Sequence, residues 1–238
     1  MDHRLDGRDR DEQIAAELRA DIMSGTLSAG SQLPTNKTLM DRFEVSSGTA
    51  GRAVDKLRAE GLVVTRPAYG VFVRGDRLRS IVLADGSPDL GRPENQGVEG
   101  DYTRRIISVR RVEPPAQIRE ALGVEGDVVE RYQQLWVDDE PVKLVWVYVP
   151  LAIASGTALM RDGRIVDGFR AELARLGWPS RRIVDRVVVR MPTEEEYVAL
   201  ALMTPVPVIR TVRVVHSVDD RPVSASITVS PGHRTELV

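Results

Sequence analysis

Apolar residues recur at helical spacing in Ile14, Ala15, Leu18 and Ile22, which predicts an amphipathic helix stopped by Gly25. Gly30 and Pro34 mark the connection that follows. Thr35 opens a second, short helix as its N-cap, with Leu39 and Phe43 on the buried side. Glu44-Val45 turns the chain. Ser46 then caps a third helix, with Ala50, Val54 and Leu57 on one face and an end at Gly61. Beyond it lie two β-rich runs, Leu62–Thr65 and Val71–Val73, joined by Arg66-Pro-Ala-Tyr-Gly70 as a hairpin. Three helices, a tight turn between the second and third, and a hairpin predict a winged helix-turn-helix over residues 1–74.

Residues 75–79 are polar and basic and read as a linker. Ala84 to Asp101 is rich in Gly, Pro, Asp and Asn, which predicts a mobile loop. From Tyr102 the pattern repeats itself. Val-Asp-Asp-x-Pro-Val occurs at 137–142 and again at 218–223, each time between two strand-like runs. A helix precedes each pair, Pro115–Leu122 and Thr193–Leu202, and a strand precedes each helix, Arg105–Val112 and Ile183–Met191. Thr193-x-x-Glu196 has the form of a capping box. Residues 80–238 therefore read as a duplicated β-α-β-β unit, with helices Leu151–Met160 and Ile165–Leu176 between the copies. The fold class is α+β, an N-terminal winged helix-turn-helix followed by an antiparallel sheet domain. Two similar sheets facing each other would leave a pocket along their shared edge.

Composition narrows the function classes. The 238 residues include no cysteine, which excludes disulfides, thiolate metal sites and cysteine nucleophiles. The longest apolar run, Leu144 to Ile153, is too short to span a bilayer, and the N-terminus lacks the apolar core of a signal peptide, so the expected location is cytoplasmic. The net charge of −2 is unevenly placed. Residues 1–22 hold four Arg against seven Asp/Glu, whereas Met23 to Arg79 hold nine Lys/Arg against five Asp/Glu. That local excess suits a compact DNA-binding module, nucleoid-associated when bound. The three histidines (3, 216 and 233) have no nucleophile partner or zinc-type spacing, so no enzyme, metal site or cofactor is expected.

In a helix-turn-helix the start of the second motif helix reaches base edges. Here that is Ser47, Gly48, Thr49, Gly51 and Arg52, beside the caps Thr35 and Ser46. Arg52 can pair with guanine and Thr49 can meet a phosphate or a thymine methyl. Lys37 and Arg42 lie where the preceding helix would cross the phosphate backbone, and Arg66, Tyr69 and Gly70 form the wing. Trp136, Trp146 and Tyr148 share strand parity and read as core packing against helices rather than as a ligand cage.

Residues 11–74 resemble the GntR family of bacterial transcription regulators. The carrying residues are Gln13-Ile-Ala-Ala-Glu-Leu-Arg19, Ile22-Met-Ser-Gly25, Gly30-Ser-Gln-Leu-Pro34, Val45-Ser46, Thr49, Ala53, Leu57, Glu60-Gly-Leu62 and Gly70-Val-Phe-Val73. The resemblance implies a homodimer on a two-fold double-stranded DNA operator. Two arginines usual in the family are replaced by Ser47 and Gly51, and the usual Pro-Ser-Glu-Arg reads Pro34-Thr35-Asn36-Lys37. Glycines at 48 and 51 would let the duplex backbone come close, with Arg52 and Lys37 supplying charge.

Residues 80–238 resemble the UTRA domain of the HutC subfamily, a chorismate lyase-like fold, through Asp139-Glu-Pro-Val142, Tyr148-Val-Pro150, Leu173-x-x-Leu-Gly177, Pro192-Thr-x-x-Glu196 and Asp220-Arg-Pro-Val223. The resemblance implies dimerisation and a small-molecule effector bound between the two halves. Paired arginines that grip sugar phosphates in relatives correspond to Gln133 and Leu135, and two common glutamates to Val145 and Ser224. Strand alternation sets Arg131, Gln133 and Leu135 on one face, with Lys143, Val145 and Val147 on one face of the partner strand. The expected effector is accordingly neutral or apolar, with Gln133, Ser224 and Ser226 as polar contacts. The alternatives are a DNA-binding dimer whose second domain is purely structural, and a small-molecule enzyme on the lyase-like fold.

Overall fold

The computed structural model describes residues 7–74, 81–83, 102–137, 139–203, 206–232 and 235–237, and the chain divides into two compact units, Met1–Arg79 and Ser80–Val238. The linker expected at 75–79 and the mobile loop expected at 84–101 lie outside the described residues.

In the first unit, helices α1 (Arg10–Met23), α2 (Asn36–Phe43) and α3 (Ser47–Ala59) precede strands β1 (Val63–Arg66) and β2 (Gly70–Val73). The face of α1 expected from its spacing is the buried one. Ile14, Leu18 and Ile22 pack against Leu39 of α2, Ala50, Ala53 and Leu57 of α3, and Val63 and Val73 of the hairpin. Both expected caps form: the Thr35 hydroxyl accepts from the Thr38 amide at 3.2 Å, and the Ser46 hydroxyl from the Thr49 amide at 3.3 Å. Between them Glu44 ends α2 in the left-handed region (φ 52), which is what makes the turn tight.

The second unit contains β3 (Ile81–Leu83), β4 (Tyr102–Val112), α4 (Ala116–Leu122), β5 (Val128–Val137), β6 (Glu140–Pro150), α5 (Leu151–Ala154), α6 (Phe169–Arg175), β7 (Ser180–Arg190), α7 (Glu194–Ala199), β8 (Val208–Ser217), β9 (Pro222–Pro231) and β10 (Thr235–Leu237). The duplication is present as β4-α4-β5-β6 and β7-α7-β8-β9. The two copies do not face each other, as expected from sequence, but join edge to edge in one antiparallel sheet of order β4-β5-β6-β9-β8-β7, while β10 pairs in parallel with β3. The physical reason lies in the hairpins. β6 and β9 each end a hairpin with one edge unpaired, and pairing Leu144–Tyr148 with Ala225–Val229 satisfies both edges at once.

The repeated turns are built alike. Asp139 (φ 61) and Asp220 (φ 58) both occupy the left-handed region, which a short polar side chain tolerates. Each turn is followed by a bulge that leaves Val142 and Val223 as the extra residue, and both valines are buried in the same apolar cluster. One sheet face packs Leu144, Tyr148, Ala225 and Val229 against Ile118 and Leu122 of α4 and Leu200 after α7. The opposite face packs Val129, Val147 and Val149 against Ile153, Leu159, Phe169 and Leu173. The helices expected over 151–160 and 165–176 are shorter than the periodicity suggested. Gly156 (φ 74) and Gly168 (φ 86) hold conformations a helix interior excludes, and only Leu151–Ala154, a 3₁₀ turn at Ala158–Met160 and Phe169–Arg175 are helical. Trp146 and Tyr148 pack with the α4 cluster as expected, and Trp146 stacks on Tyr132 at 4.8 Å. Trp136 instead lies under the Arg105 guanidinium, 3.7 Å from its ring centre.

Candidate functional site

The first unit brings its expected surface residues together around the start of α3. Ser46, Ser47 and Gly48 are exposed, Thr49 is half-buried, and Arg52 projects one turn further along. Asn36 joins the two helices of the motif, its amide donating to the Ser47 hydroxyl at 2.8 Å. The wing tip is fixed from outside the hairpin: the Gln32 side-chain amide donates to the Tyr69 carbonyl at 2.9 Å. A Cβ at Gly70 (φ +110) would stand 2.7 Å from that same amide nitrogen, so the backbone angle favours glycine there and a larger residue would push the Gln32 amide aside. Tyr69 itself is 74% exposed.

The basic groups divide into two sets. Arg42 is held by Glu17 and lies over the Phe43 ring, so its charge is matched within the fold. Arg52 gives its Nε proton to Asp11 at 3.0 Å and Nη2 to the Thr49 hydroxyl at 3.3 Å, and this guanidinium holds the Asp11 carboxyl below the usual carboxylate range. Lys56 is paired with Glu12 at 2.7 Å. The acids of α1 thus offset much of the positive excess that the sequence places in residues 23–79. Among the described residues neither Lys37 nor Arg66 forms an ion pair, and the Arg66 guanidinium lies over the Phe72 ring, so these two cations stay available to an outside anion.

The second unit brings Gln133, Leu135 and Val145 onto one sheet face and adds residues that sequence reasoning missed. Registers run Ile106–Gln133–Val145–Thr228–Thr211 across the sheet, flanked by Arg104–Leu135–Lys143 on one side and Arg131–Val147–Ser226–Arg213–Asp185 on the other. On this face β9 presents Ser224, Ser226, Thr228 and Ser230, a hydroxyl at every second position. Arg213 holds Asp185 through two hydrogen bonds of 2.8 and 2.6 Å, and Arg104 reaches the Gln133 side-chain oxygen at 3.4 Å.

Two expectations change. Arg131 is buried, and its guanidinium donates to the Leu159, Arg161 and Gly163 carbonyls at 2.8, 2.9 and 2.7 Å, so it clamps the chain there. The floor is also more polar and more cationic than the one expected from Gln133, Leu135 and Val145, because Lys143, Arg104, Arg213 and Thr211 share it. Ser224 sits at the far end of the ladder, opposite Val215 beside the apolar cluster, while Ser226 and Thr228 are half-buried nearer its middle.

Residues 10–73 match the family described as bacterial regulatory proteins, gntR family, and residues 98–236, more than half of the chain, match the UTRA domain. The chain belongs to the GntR family and carries a UTRA domain. It is 26% identical over 142 residues to the "probable fructoselysine utilization operon transcriptional repressor" of Escherichia coli K12, covering 58% of this chain and 56% of that one. The match thus spans only a little over half the length of that curated relative. An uncharacterized HTH-type transcriptional regulator of Streptomyces coelicolor, SCO4628, is 27% identical over 245 residues, with 93% and 88% of the two chains covered. In fold the chain resembles the crystal structure of PhnF from Mycobacterium smegmatis, with a TM-score of 0.57, 21% identity, and 94% and 97% coverage.

In this GntR head the residues missed from sequence, Asn36 and Gln32, act on the backbone and hydroxyls of others, and no spacing rule announces such contacts. In the UTRA sheet Lys143 did leave a signal: it is the one charged residue in the run Pro141–Pro150. An apolar run without alternation is covered on both faces, so a lysine within it is buried. Among the described residues no group of three His, Asp or Glu is arranged to hold a metal ion, and no helix is long and apolar enough to cross a membrane.

Proposed function

We propose that this protein is a dimeric, sequence-specific DNA-binding transcriptional repressor whose UTRA domain senses a small molecule. The observation that carries the reading is the exposed N-terminal end of α3, with Thr49 and Arg52 at the entrance and two cations of the same unit, Lys37 and Arg66, without an ion pair among the described residues. Such an arrangement suits one helix end in a major groove with phosphates gripped at its flanks. The Asp11 contact orients Arg52 through Nε and leaves its terminal nitrogens near the helix surface. The repressor sense is carried over from the printed description of the E. coli relative. Selection of operator fragments from a random duplex pool by the full chain tests the reading. A palindromic consensus with half-sites about 34 Å apart is expected; equal affinity for the selected and random pools would overturn it.

Two substitutions separate contact from close approach. Arg52→Ala should weaken operator binding by about 1–3 kcal/mol with relaxed preference at one base pair, measured by fluorescence anisotropy. Gly51 has open space where a Cβ would stand. Gly51→Ala should therefore stabilise the free head by about 1 kcal/mol. If the duplex backbone lies against that glycine, the same change weakens operator binding. A variant more stable and equally tight would remove Gly51 from the interface.

For the dimer, the two sheet edges differ. β4 carries Arg104, Arg105, Arg110 and Arg111 and a bulge, devices that discourage pairing. β7 runs eleven residues with Val184, Val187, Val188 and Val189 exposed, the last at 63%. An antiparallel strand can pair with its own copy about a two-fold axis, so β7 is the expected seam with a second copy of this chain. A Val187→Glu, Val189→Glu double variant should sediment as a folded monomer. Its remaining dimeric would place the seam elsewhere. In the dimer an effector that prefers one arrangement of the paired UTRA domains would change the spacing of the heads through residues 75–79 and so alter operator affinity.

A further inference from the structure

Lys143 is 9% exposed in the sheet interior, and among the described residues no hydrogen bond or ion pair holds its ammonium group. The charged groups that share its sheet face among the described residues are Arg104, Arg111, Arg131, Glu140, Arg213 and Asp185, with Arg111 paired to Asp127. Those that act on it are Arg213 and Arg104, both repulsive, and together with burial they bring its titration point down to about 8. Among the described residues no carboxylate offsets that repulsion. Asp185 is taken by Arg213, and Arg131 is taken by three carbonyls.

The surroundings are equally unfinished. The Leu144–Val229 pair, continued by one residue, sets Lys143 across from Ser230 on β9. The buried hydroxyls of Ser230 and, two strands from β6, Thr211 have no hydrogen-bond partner among the described residues. Hydroxyls can donate to an anion, and an ammonium group can do nothing else but donate. Among the described residues the Lys143 ammonium and the two hydroxyls have no acceptor, and Arg104 and Arg213 add positive charge to the same floor.

We propose that Lys143 anchors an oxyanion, a carboxylate or a phosphate group, of the small molecule that the UTRA domain senses, with the Thr211 and Ser230 hydroxyls donating beside it and Arg104 and Arg213 supplying field. This rests on reading the floor as the effector site, and it replaces the neutral or apolar effector expected from Gln133, Leu135 and Val145 alone. Only protonated Lys143 serves as the anchor. Oxyanion affinity should hold steady below the titration point and fall about tenfold per pH unit above it, and binding should draw that point upward.

Lysine occurs at 37, 56 and 143 and nowhere else, so selective lysine labelling gives three NMR signals, of which Lys143 is the one with a depressed titration point. The full chain is titrated with inorganic phosphate, with acetate and, at matched ionic strength, with chloride. The expected result is an upward move of the Lys143 midpoint by about one pH unit or more with phosphate or acetate and none with chloride. A response to phosphate alone or to acetate alone supports the proposal and identifies the group. Lys143→Met should remove saturable binding of the active anion and Lys143→Arg should retain part of it. A midpoint unmoved by both oxyanions, or moved equally by chloride, overturns the proposal, as does equal anion binding by wild type and Lys143→Met. Operator selection with the wild-type chain is scored separately, so failure of the regulator reading is not confused with failure at Lys143.

Discussion

Lys143→Met is expected to make the UTRA domain more stable at neutral pH by about 3 kcal/mol, an unusual sign for a buried substitution. Proton linkage sets the sign. Lys143 titrates near 10.5 in the unfolded chain and at about 8 in the folded one, because burial and two neighbouring guanidiniums oppose its charge. Below pH 8 both states carry the proton, and the folded state bears the whole cost of the buried ammonium. Between about 8 and 10.5 the folded state releases its proton first, so the unfolded state binds more protons and stability rises with pH. Above 10.5 the cost is gone. Methionine has similar length and no charge, and its stability should not follow this curve. Urea unfolding of both proteins across this range should show the gap closing upward in pH. A variant less stable than wild type at neutral pH, or a gap constant with pH, would mean that Lys143 has a partner in the folded chain. A bound oxyanion would offset that cost.

Much of the fold was legible because its determinants are local. The caps at Thr35, Ser46 and Thr193 depend on a hydroxyl and an amide three residues on, and all three form, with Glu196 returning its carboxylate to the Thr193 amide at 2.9 Å. The duplicated hairpins were legible because Val-Asp-Asp-x-Pro-Val repeats a left-handed aspartate and a bulge. The pairing of β6 with β9 was not, since an edge strand's partner is decided by hydrogen bonds between residues some eighty positions apart. At the candidate sites, residue type and strand parity correctly placed Gln133, Leu135 and Val145 on one face. They could not show that α1 crosses α3 closely enough for Asp11 and Glu12 to meet Arg52 and Lys56. An acidic N-terminal stretch and a basic helix-turn-helix looked like separate features and are one ion-pair network.

Arg131 shows the same limit from the other side. A buried arginine on the face of a ligand-binding sheet suggests a ligand, yet its two terminal nitrogens serve Leu159, Arg161 and Gly163, carbonyls of a segment that has only one 3₁₀ turn of its own. That segment leads from α5 toward α6 and keeps Leu159, Phe169 and Leu173 on the sheet. Arg131→Ala should therefore destabilise the UTRA domain by about 3–5 kcal/mol, since it leaves three acceptors without their donor and a void where a long side chain lay. Arg131→Lys should recover little, because one ammonium group cannot span carbonyls that a planar fork reaches from two nitrogens. Amide exchange should quicken first over residues 159–163 and then at Phe169 and Leu173, before β9 is affected. Were Arg131 an effector contact instead, the alanine variant would keep its stability and exchange pattern and lose only its response to the small molecule. The two roles thus separate in a measurement made with no ligand present.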